Sequence, residues 1–162
     1  MTPQEFKILF DQHFDSIRNY IYYRSGDADL STDIVQDVFM RLWEKKLDFK
    51  KKENVGLLYK MANNEFVSLY RRKKLELNYS KTITFKLDKV SPEDEMQYKE
   101  LQQMYEEALT KLTDQQRVVF LMSRKDGLKY HEIAERLGIS VKAVEKRMKH
   151  ALEYFKLNLI MK

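Results

Sequence analysis

The residues best suited to chemistry lie in the stretch "YHEIAERLGISVKAVEKRMKHAL", residues 130–152. It opens with His131 and a glutamate, as the helix of many zinc proteases does. That site needs a second histidine four residues later, so that both imidazoles share one helix face, and Glu135 stands there instead. The other two histidines of the chain are His13 and His150. The sequence therefore predicts no metal site and no special role for His131.

Other catalytic chemistry is also missing from the sequence. The chain has no cysteine, which excludes disulfides, thiolate catalysis and zinc sites built on cysteine. No nucleophile–base constellation and no glycine-rich phosphate loop can be found. We therefore expect a protein that is not an enzyme and that binds no cofactor.

A helix–turn–helix explains residues 130–152 better than a plain helical hairpin does. Gly138 stands where a left-handed residue would end a short first helix, and Ser140 stands where it can cap the second. Ala134 is small where the two helices would cross closely. A hairpin accounts for the apolar positions but not for this turn. We therefore predict that the second helix enters a major groove of DNA.

The second helix of this unit supplies the candidate DNA contacts. Basic side chains find phosphates, whereas Glu, His and Arg can also read base edges. The candidates, most of them expected on the outward side, are Ser140, Lys142, Ala143, Glu145, Lys146, Arg147, Lys149 and His150.

The distribution of charge also favours a polyanionic partner. The net charge of +5 divides into −4 for residues 1–40, +7 for 41–75, −4 for 76–116 and +6 for 117–162. One charged run is usually a solvated face, but two separated basic blocks indicate a polyanion contacted at two places.

The elements that position these residues are predicted to be all α-helical. Only 4 glycines and 2 prolines are present, too few for many hairpin turns. We predict two small helical domains, residues 1–75 and 92–162, joined by an extended linker at 76–91. Because the linker is polar and buries little, the two domains should be mobile relative to each other.

The second predicted helix, residues 28–46, has two different faces. Its core side is formed by Ile34, Val35, Val38, Phe39 and Leu42. A separate stripe at helical spacing is formed by Asp33, Gln36, Asp37 and Met40. Spacing alone leaves two interpretations open, a solvated face or a surface that docks on a basic partner.

The motif D-x-x-Q-D-x-F-x-R-L-W, residues 33–43, is highly specific. Together with "LLYKMANNEFVSLYRRKK" it resembles region 2 of the extracytoplasmic-function (ECF) sigma factors. The stretch "LTDQQRVVFLMSRKDGLKYHEIAERLGISVKAVEKRMKHAL" resembles their region 4. The resemblance covers nearly the whole chain, in the order and spacing of the family.

The resemblance implies a dissociable subunit of bacterial RNA polymerase. Its partners would be core polymerase, through the β′ clamp helices and the β subunit, promoter DNA, and an anti-sigma factor. The stripe would dock on the clamp helices, and the helix–turn–helix would read the −35 element. No signal peptide or membrane span is visible in the sequence, so we expect a cytoplasmic protein without membrane insertion.

The −10 element would be held by the third helix, residues 55–74, and the loop before it. Melting takes a base out of the stack, and an aromatic wall with amide edges can offset that cost. Asn64 matches an asparagine of the family, whereas Phe49 is chosen for its chemistry. The candidates are Phe49, Lys50, Lys51, Lys52, Asn54, Lys60, Asn63, Asn64, Arg71 and Arg72.

Some positions depart from the family pattern. Leu57 replaces a frequent tryptophan, Ser68 a frequent aspartate, and Glu145 and His150 stand where basic residues are common. The promoter bases that are read therefore do not follow from the family. Two alternatives stay open, a one-component helix–turn–helix regulator and an interaction protein of the anti-sigma type.

Overall fold

The computed structural model describes residues 2–45, 55–77, 85 and 96–160. Within these residues no β-strand occurs. They form seven α-helices, α1 (Pro3–Ser25), α2 (Ala28–Lys45), α3 (Val55–Leu77), α4 (Met96–Lys111), α5 (Asp114–Arg124), α6 (Tyr130–Leu137) and α7 (Val141–Phe155), and a π-helix at Lys156–Ile160. The prediction of an all-α fold is confirmed.

The helix ends lie where the capping residues indicate. Thr2 forms a capping box with Glu5 at the start of α1, and Gly26 ends that helix in the left-handed conformation with φ 69°. Thr113 and Gln116 form the same box at the start of α5. These local hydrogen bonds satisfy backbone groups that the helix itself leaves unpaired.

Helices α1, α2 and α3 pack together as the N-terminal half of the molecule. The apolar face of α2 is buried as predicted, and Ile34 and Leu42 have no exposed surface. The Phe39 ring meets those of Phe6 and Phe10 edge to face. This packing turns the opposite face of α2 toward solvent.

Helices α4 to α7 form the C-terminal half, which contains the predicted helix–turn–helix. Gly138 ends α6 with φ 68°, and the Ser140 hydroxyl accepts a hydrogen bond of 3.1 Å from the Ala143 amide. Ala134 and Val144 are buried between the helices. The predicted helix–turn–helix geometry is confirmed at each of these positions.

The segment between the halves differs from the prediction in two respects. Helix α3 continues to Leu77, so residues 76 and 77 are helical rather than part of the linker, because leucine and glutamate favour helix. Phe85 is buried and lies over the Arg117 guanidinium, 4.5 Å from it, and beside the Tyr22 ring. The segment is therefore anchored at Phe85 despite its polar composition.

The two halves pack against each other in this structure, and their relative mobility stays a prediction. Helix α1 packs on α5, and α3 packs on α6. The expectation rested on the linker alone, which says nothing about complementary helix faces. Here those faces meet through specific polar side chains, such as Tyr23 with Asp126 and Arg24 with Asp114.

Candidate functional site

The stripe on α2 is fully available to a partner. Asp33, Gln36, Asp37 and Met40 are all exposed, and 58% of the Met40 surface is open to solvent. Met40 also lines a shallow groove of about 350 Å³ with Phe6 and the partly exposed Trp43. An acidic stripe beside an apolar groove is suited to a partner that is basic at its rim and apolar at its centre.

Helix α7 presents an exposed basic face. Val144 and Met148 hold its other side in the core. Ser140, at the helix start, is exposed and Ala143 is half-buried. The side chains that point to solvent are Lys142, Glu145, Lys146, Lys149 and His150. A helix with this polarity is able to contact phosphates and base edges.

Arg147 departs from the outward position that we expected for it. Its side chain is half-buried and lines a cavity between the two halves. The reason is its position three residues after Val144, which turns it away from the exposed face and toward the N-terminal half.

The predicted −10 residues on α3 divide into two groups. Lys60, Asn64, Arg71 and Arg72 are exposed. Asn63 is half-buried, and its side-chain oxygen accepts hydrogen bonds from Arg24 and, at 3.5 Å, from the Tyr20 hydroxyl. The remaining candidates, Phe49, Lys50, Lys51, Lys52 and Asn54, lie outside the described residues.

A cavity of about 580 Å³ lies between α3 and the helix–turn–helix, beside the contact of α3 with α6. Its lining includes the basic side chains of Arg24, Lys60, Arg136 and Arg147, and one carboxylate, Asp114. The Arg24 Nε donates to Asp114 at 2.8 Å. The excess of positive charge favours an anionic occupant.

Arg117 is a buried residue that sequence reasoning missed. Only 2% of its surface is exposed, and burial lowers the pKa of its guanidinium. Its Nε donates to the Tyr23 carbonyl at 2.5 Å, and its terminal nitrogens donate to the carbonyls of Arg24, Leu109 and Leu112 at 3.1–3.3 Å. One side chain thus binds the C-terminal ends of α1 and α4, because cations are stabilised there.

Asp126, in the turn after α5, is a second residue that was missed. Its carboxylate accepts a hydrogen bond of 2.6 Å from the Tyr23 hydroxyl and one of 3.5 Å from Asn19. Burial raises the pKa of this carboxyl, and the two hydrogen bonds oppose that change. Because every donor lies on α1, no pattern within either half could have revealed the contact.

The described residues offer no alternative chemical site. Within them, no group of three or more His, Asp or Glu side chains is placed to share a metal ion, and His131 is exposed. None of the helices in the described ranges is both long enough and apolar enough to cross a bilayer.

Comparison with known families identifies the two halves separately. The family model for Sigma-70 region 2 matches residues 9–76, and the model for Sigma-70 region 4 matches residues 102–154. The chain belongs to the extracytoplasmic-function family of sigma factors. As an ECF sigma factor it acts in transcription initiation, with core RNA polymerase and promoter DNA as its partners.

Individual sigma factors align with this one over most of their length. The ferric citrate uptake sigma factor FecI of Escherichia coli is 28% identical over 151 residues, which cover 92% of this chain and 87% of FecI. The RNA polymerase sigma factor YlaC of Bacillus subtilis is 27% identical over 158 residues, which cover 93% of this chain and 90% of YlaC.

The fold of the ECF sigma factor also matches a solved structure. It aligns with the sigma factor RpoE of Bartonella quintana, crystallised in complex with the anti-sigma factor NepR, with a TM-score of 0.66. The alignment covers 97% of this chain and 98% of the other at 20% sequence identity. The similarity therefore extends to the arrangement of helices in the two chains.

Proposed function

We propose that this sigma factor docks on the β′ clamp helices of core polymerase through α2 and reads a promoter at two places. The N-terminal half, residues 1–75, serves the polymerase and the −10 element. The C-terminal half, residues 92–162, serves the −35 element, and residues 76–91 connect them. The protein would work in the cytoplasm and would have no catalytic chemistry of its own.

The observation that supports the proposal best is the exposed face of α7. Its basic residues project from a helix–turn–helix whose core is fully packed, so they are available to a major groove. Lys142, Lys146 and Lys149 suit phosphates, whereas Glu145 and His150 suit base edges. An ordinary one-component regulator would have the same helix but would not need the acidic stripe of α2.

For the −10 element we propose that Asn63 and Asn64 offer amide edges to an unstacked base. The cations Lys60, Arg71 and Arg72 would follow the phosphates, together with Lys50, Lys51 and Lys52 of the preceding loop. Phe49 and Asn54 would complete the pocket. Stacking of a base on an aromatic ring is worth about 1–3 kcal/mol, which offsets part of the cost of melting.

We infer that a separate anti-sigma factor controls the protein, as the resemblance to the ECF family implies. The RpoE relative was crystallised with such a factor. The exposed stripe of α2 and the cavity between the halves are the surfaces on which an inhibitor could compete with polymerase or promoter.

Transcription in vitro with purified core polymerase tests the proposal. Added sigma factor should produce a discrete transcript from a cognate promoter, and core polymerase alone should not. A one-component regulator would instead protect an operator without polymerase. Absence of any sigma-dependent transcript from a genomic promoter library would contradict the proposed function.

A further inference from the structure

The cavity between α3 and the helix–turn–helix collects more positive charge than its own side chains neutralise. Among the described residues, four cations and one carboxylate line it, and that carboxylate, Asp114, is paired with Arg24 at 2.8 Å. In the part of the chain that the structure describes, no ion pair involves Lys60, Arg136 or Arg147. Like charges that share an enclosed space repel one another unless an anion lies between them.

Two of the guanidinium groups are held in position by the protein. The Arg24 Nε donates to Asp114, and the Arg136 Nη1 donates to the Tyr59 hydroxyl at 3.1 Å. A guanidinium carries five N–H donors, so each arginine keeps donors beyond these contacts. A guanidinium that is already fixed binds phosphate well, because two parallel hydrogen bonds can meet two phosphate oxygens at once.

Positive charge from both halves of the molecule reaches the Tyr20 hydroxyl, which also lines the cavity. Burial raises the pKa of this hydroxyl, whereas the charges of Arg24 and Arg147 lower it. Arg24 belongs to the N-terminal half and Arg147 to the C-terminal half. An anion in the cavity is therefore attracted by cations of both halves.

The size and the apolar wall of the cavity indicate a ligand larger than a simple anion. Its volume of about 580 Å³ lies within the range of about 300–1,000 Å³ that is common for small-molecule sites. Leu137 and Ile139, both half-buried, line it on either side of Gly138. An apolar wall beside a cationic one suits a ligand with a ring system at one end and phosphates at the other.

We propose that this cavity is a binding site for a nucleoside diphosphate. Lys60, Arg136 and Arg147 hold the two phosphates, and Leu137 and Ile139 contact the nucleoside. The charges agree, because the cavity has three cations without an ion-pair partner among the described residues, and a diphosphate ester carries about three negative charges at pH 7.

The same site connects nucleotide binding with promoter binding. Lys60 is a candidate for the −10 element and Arg147 for the −35 element, and both line the cavity. A bound nucleotide therefore withholds one phosphate-binding cation of each half from DNA. This consequence rests on the proposed function, whereas the binding of the nucleotide does not.

Equilibrium dialysis of labelled ADP against the full chain, without polymerase or DNA, tests the site. We expect saturable binding of one ADP per chain. Adenosine lacks the phosphates and pyrophosphate lacks the nucleoside, so each should bind at least about tenfold more weakly than ADP. Absence of saturable ADP binding overturns the proposal, and so does pyrophosphate that binds as tightly as ADP.

A matched pair of variants on α7 shows whether the bound ADP lies in this cavity. Arg147→Gln and Lys146→Gln each remove one positive charge, but of the two residues only Arg147 lines the cavity. Arg147→Gln should weaken ADP binding by about tenfold or more, the loss expected for one hydrogen bond to a charged group. Lys146→Gln should change it by less than about twofold. Equal affinities of the two variants would overturn the proposal.

A second pair repeats the comparison from α3. Lys60→Gln should weaken ADP binding, whereas Arg71→Gln, which removes a cation of α3 outside the cavity lining, should not. Lys60 is exposed, so its replacement leaves the fold intact and the test holds even if Arg147→Gln unfolds the chain. Full ADP affinity in Lys60→Gln would contradict the site. Because neither polymerase nor promoter is present, this result is independent of whether the proposed transcription is observed.

Discussion

At the scale of single residues, Arg117 joins the halves through the carbonyls of Tyr23 and Arg24 and also binds the carbonyls of Leu109 and Leu112 in its own half. Its guanidinium donates hydrogen bonds to carbonyls at the C-terminal ends of α1 and α4, two helices that are distant in sequence. Such a group is costly to bury and is stable only when its donors are all paired.

Replacement of Arg117 should therefore destabilise the fold strongly. For Arg117→Ala we expect the free energy of unfolding to fall by about 3–5 kcal/mol, because several buried carbonyls lose their donor. Arg117→Lys should not restore it, since one ammonium cannot reproduce the planar fork. Denaturant unfolding measures both variants. Arg124→Ala, an exposed arginine on the same helix, should change stability by less than about 1 kcal/mol.

His13 gives the stability a dependence on pH. Burial and then the nearby Arg136 guanidinium lower its pKa below 6.5. The folded state therefore favours the neutral ring, and this contribution is present above pH 6.5 and lost as pH falls through the lowered pKa. Between pH 7.5 and pH 5, the free energy of unfolding should fall more in the wild-type protein than in His13→Gln, as denaturant unfolding at the two pH values can measure. The exposed His131→Gln variant should behave like wild type; identical losses in all three would contradict the assignment.

At the scale of elements, α2 and α7 each bury one face and leave the opposite one free. Their buried residues are set by helical spacing, so the free faces follow from the same pattern. Substitutions on either exposed face can therefore test its binding role without disturbing the core.

Charge reversal on α2 should weaken polymerase docking. We expect Asp33→Lys with Asp37→Lys to reduce affinity for core polymerase by about tenfold or more, equivalent to about 1.4 kcal/mol, because the stripe would repel a basic partner. Titration of core polymerase measures this. Asp11→Lys with Asp15→Lys is a control of the same residue types and spacing on α1. Equal affinities of the two double variants would reject the α2 surface.

Substitutions on α7 should separate phosphate contacts from base contacts. Lys142→Ala should lower transcription at every promoter, since phosphates carry no sequence information. Glu145→Ala should relax the preference at one −35 position by about 1–3 kcal/mol if its carboxylate accepts from a cytosine amine. A promoter library scored with both variants measures the difference.

The alternative role of Glu145 is a pair with Lys149, worth a few tenths of a kcal/mol. In the described part of α7 no ion pair joins these two side chains. Glu153→Ala, at another exposed position of α7, is the matched control and should keep the wild-type preference. An unchanged −35 preference in Glu145→Ala would assign base reading to another residue.

At the scale of the whole molecule, Phe85 connects the segment between the halves to their interface. Only 4% of its surface is exposed, and it covers Arg117. Phe85→Ala should lower the free energy of unfolding by about 3 kcal/mol and increase the radius of gyration in small-angle scattering. Tyr70→Ala removes an exposed aromatic ring from α3 and should do neither. Equal scattering from both variants would show that Phe85 does not hold the halves together.

Local sequence was sufficient for the helices and for the faces they bury. Thr2, Thr113, Gly138 and Ser140 act through hydrogen bonds and dihedral preferences within a few residues of themselves, so their roles can be predicted without a fold. The spacing around Asp33 likewise predicted which side of α2 would be exposed. The family motif added the function, which periodicity alone does not contain.

Contacts across large sequence separation were decided only by the tertiary structure. Nothing near Arg117 indicates that its partners are the carbonyls of Tyr23 and Arg24, and nothing near Asp126 indicates Tyr23. These pairs depend on how two independently patterned helix faces meet, and many such pairings are compatible with the same periodicity. For that reason the sequence predicted two separate halves, whereas in the folded chain one half packs on the other.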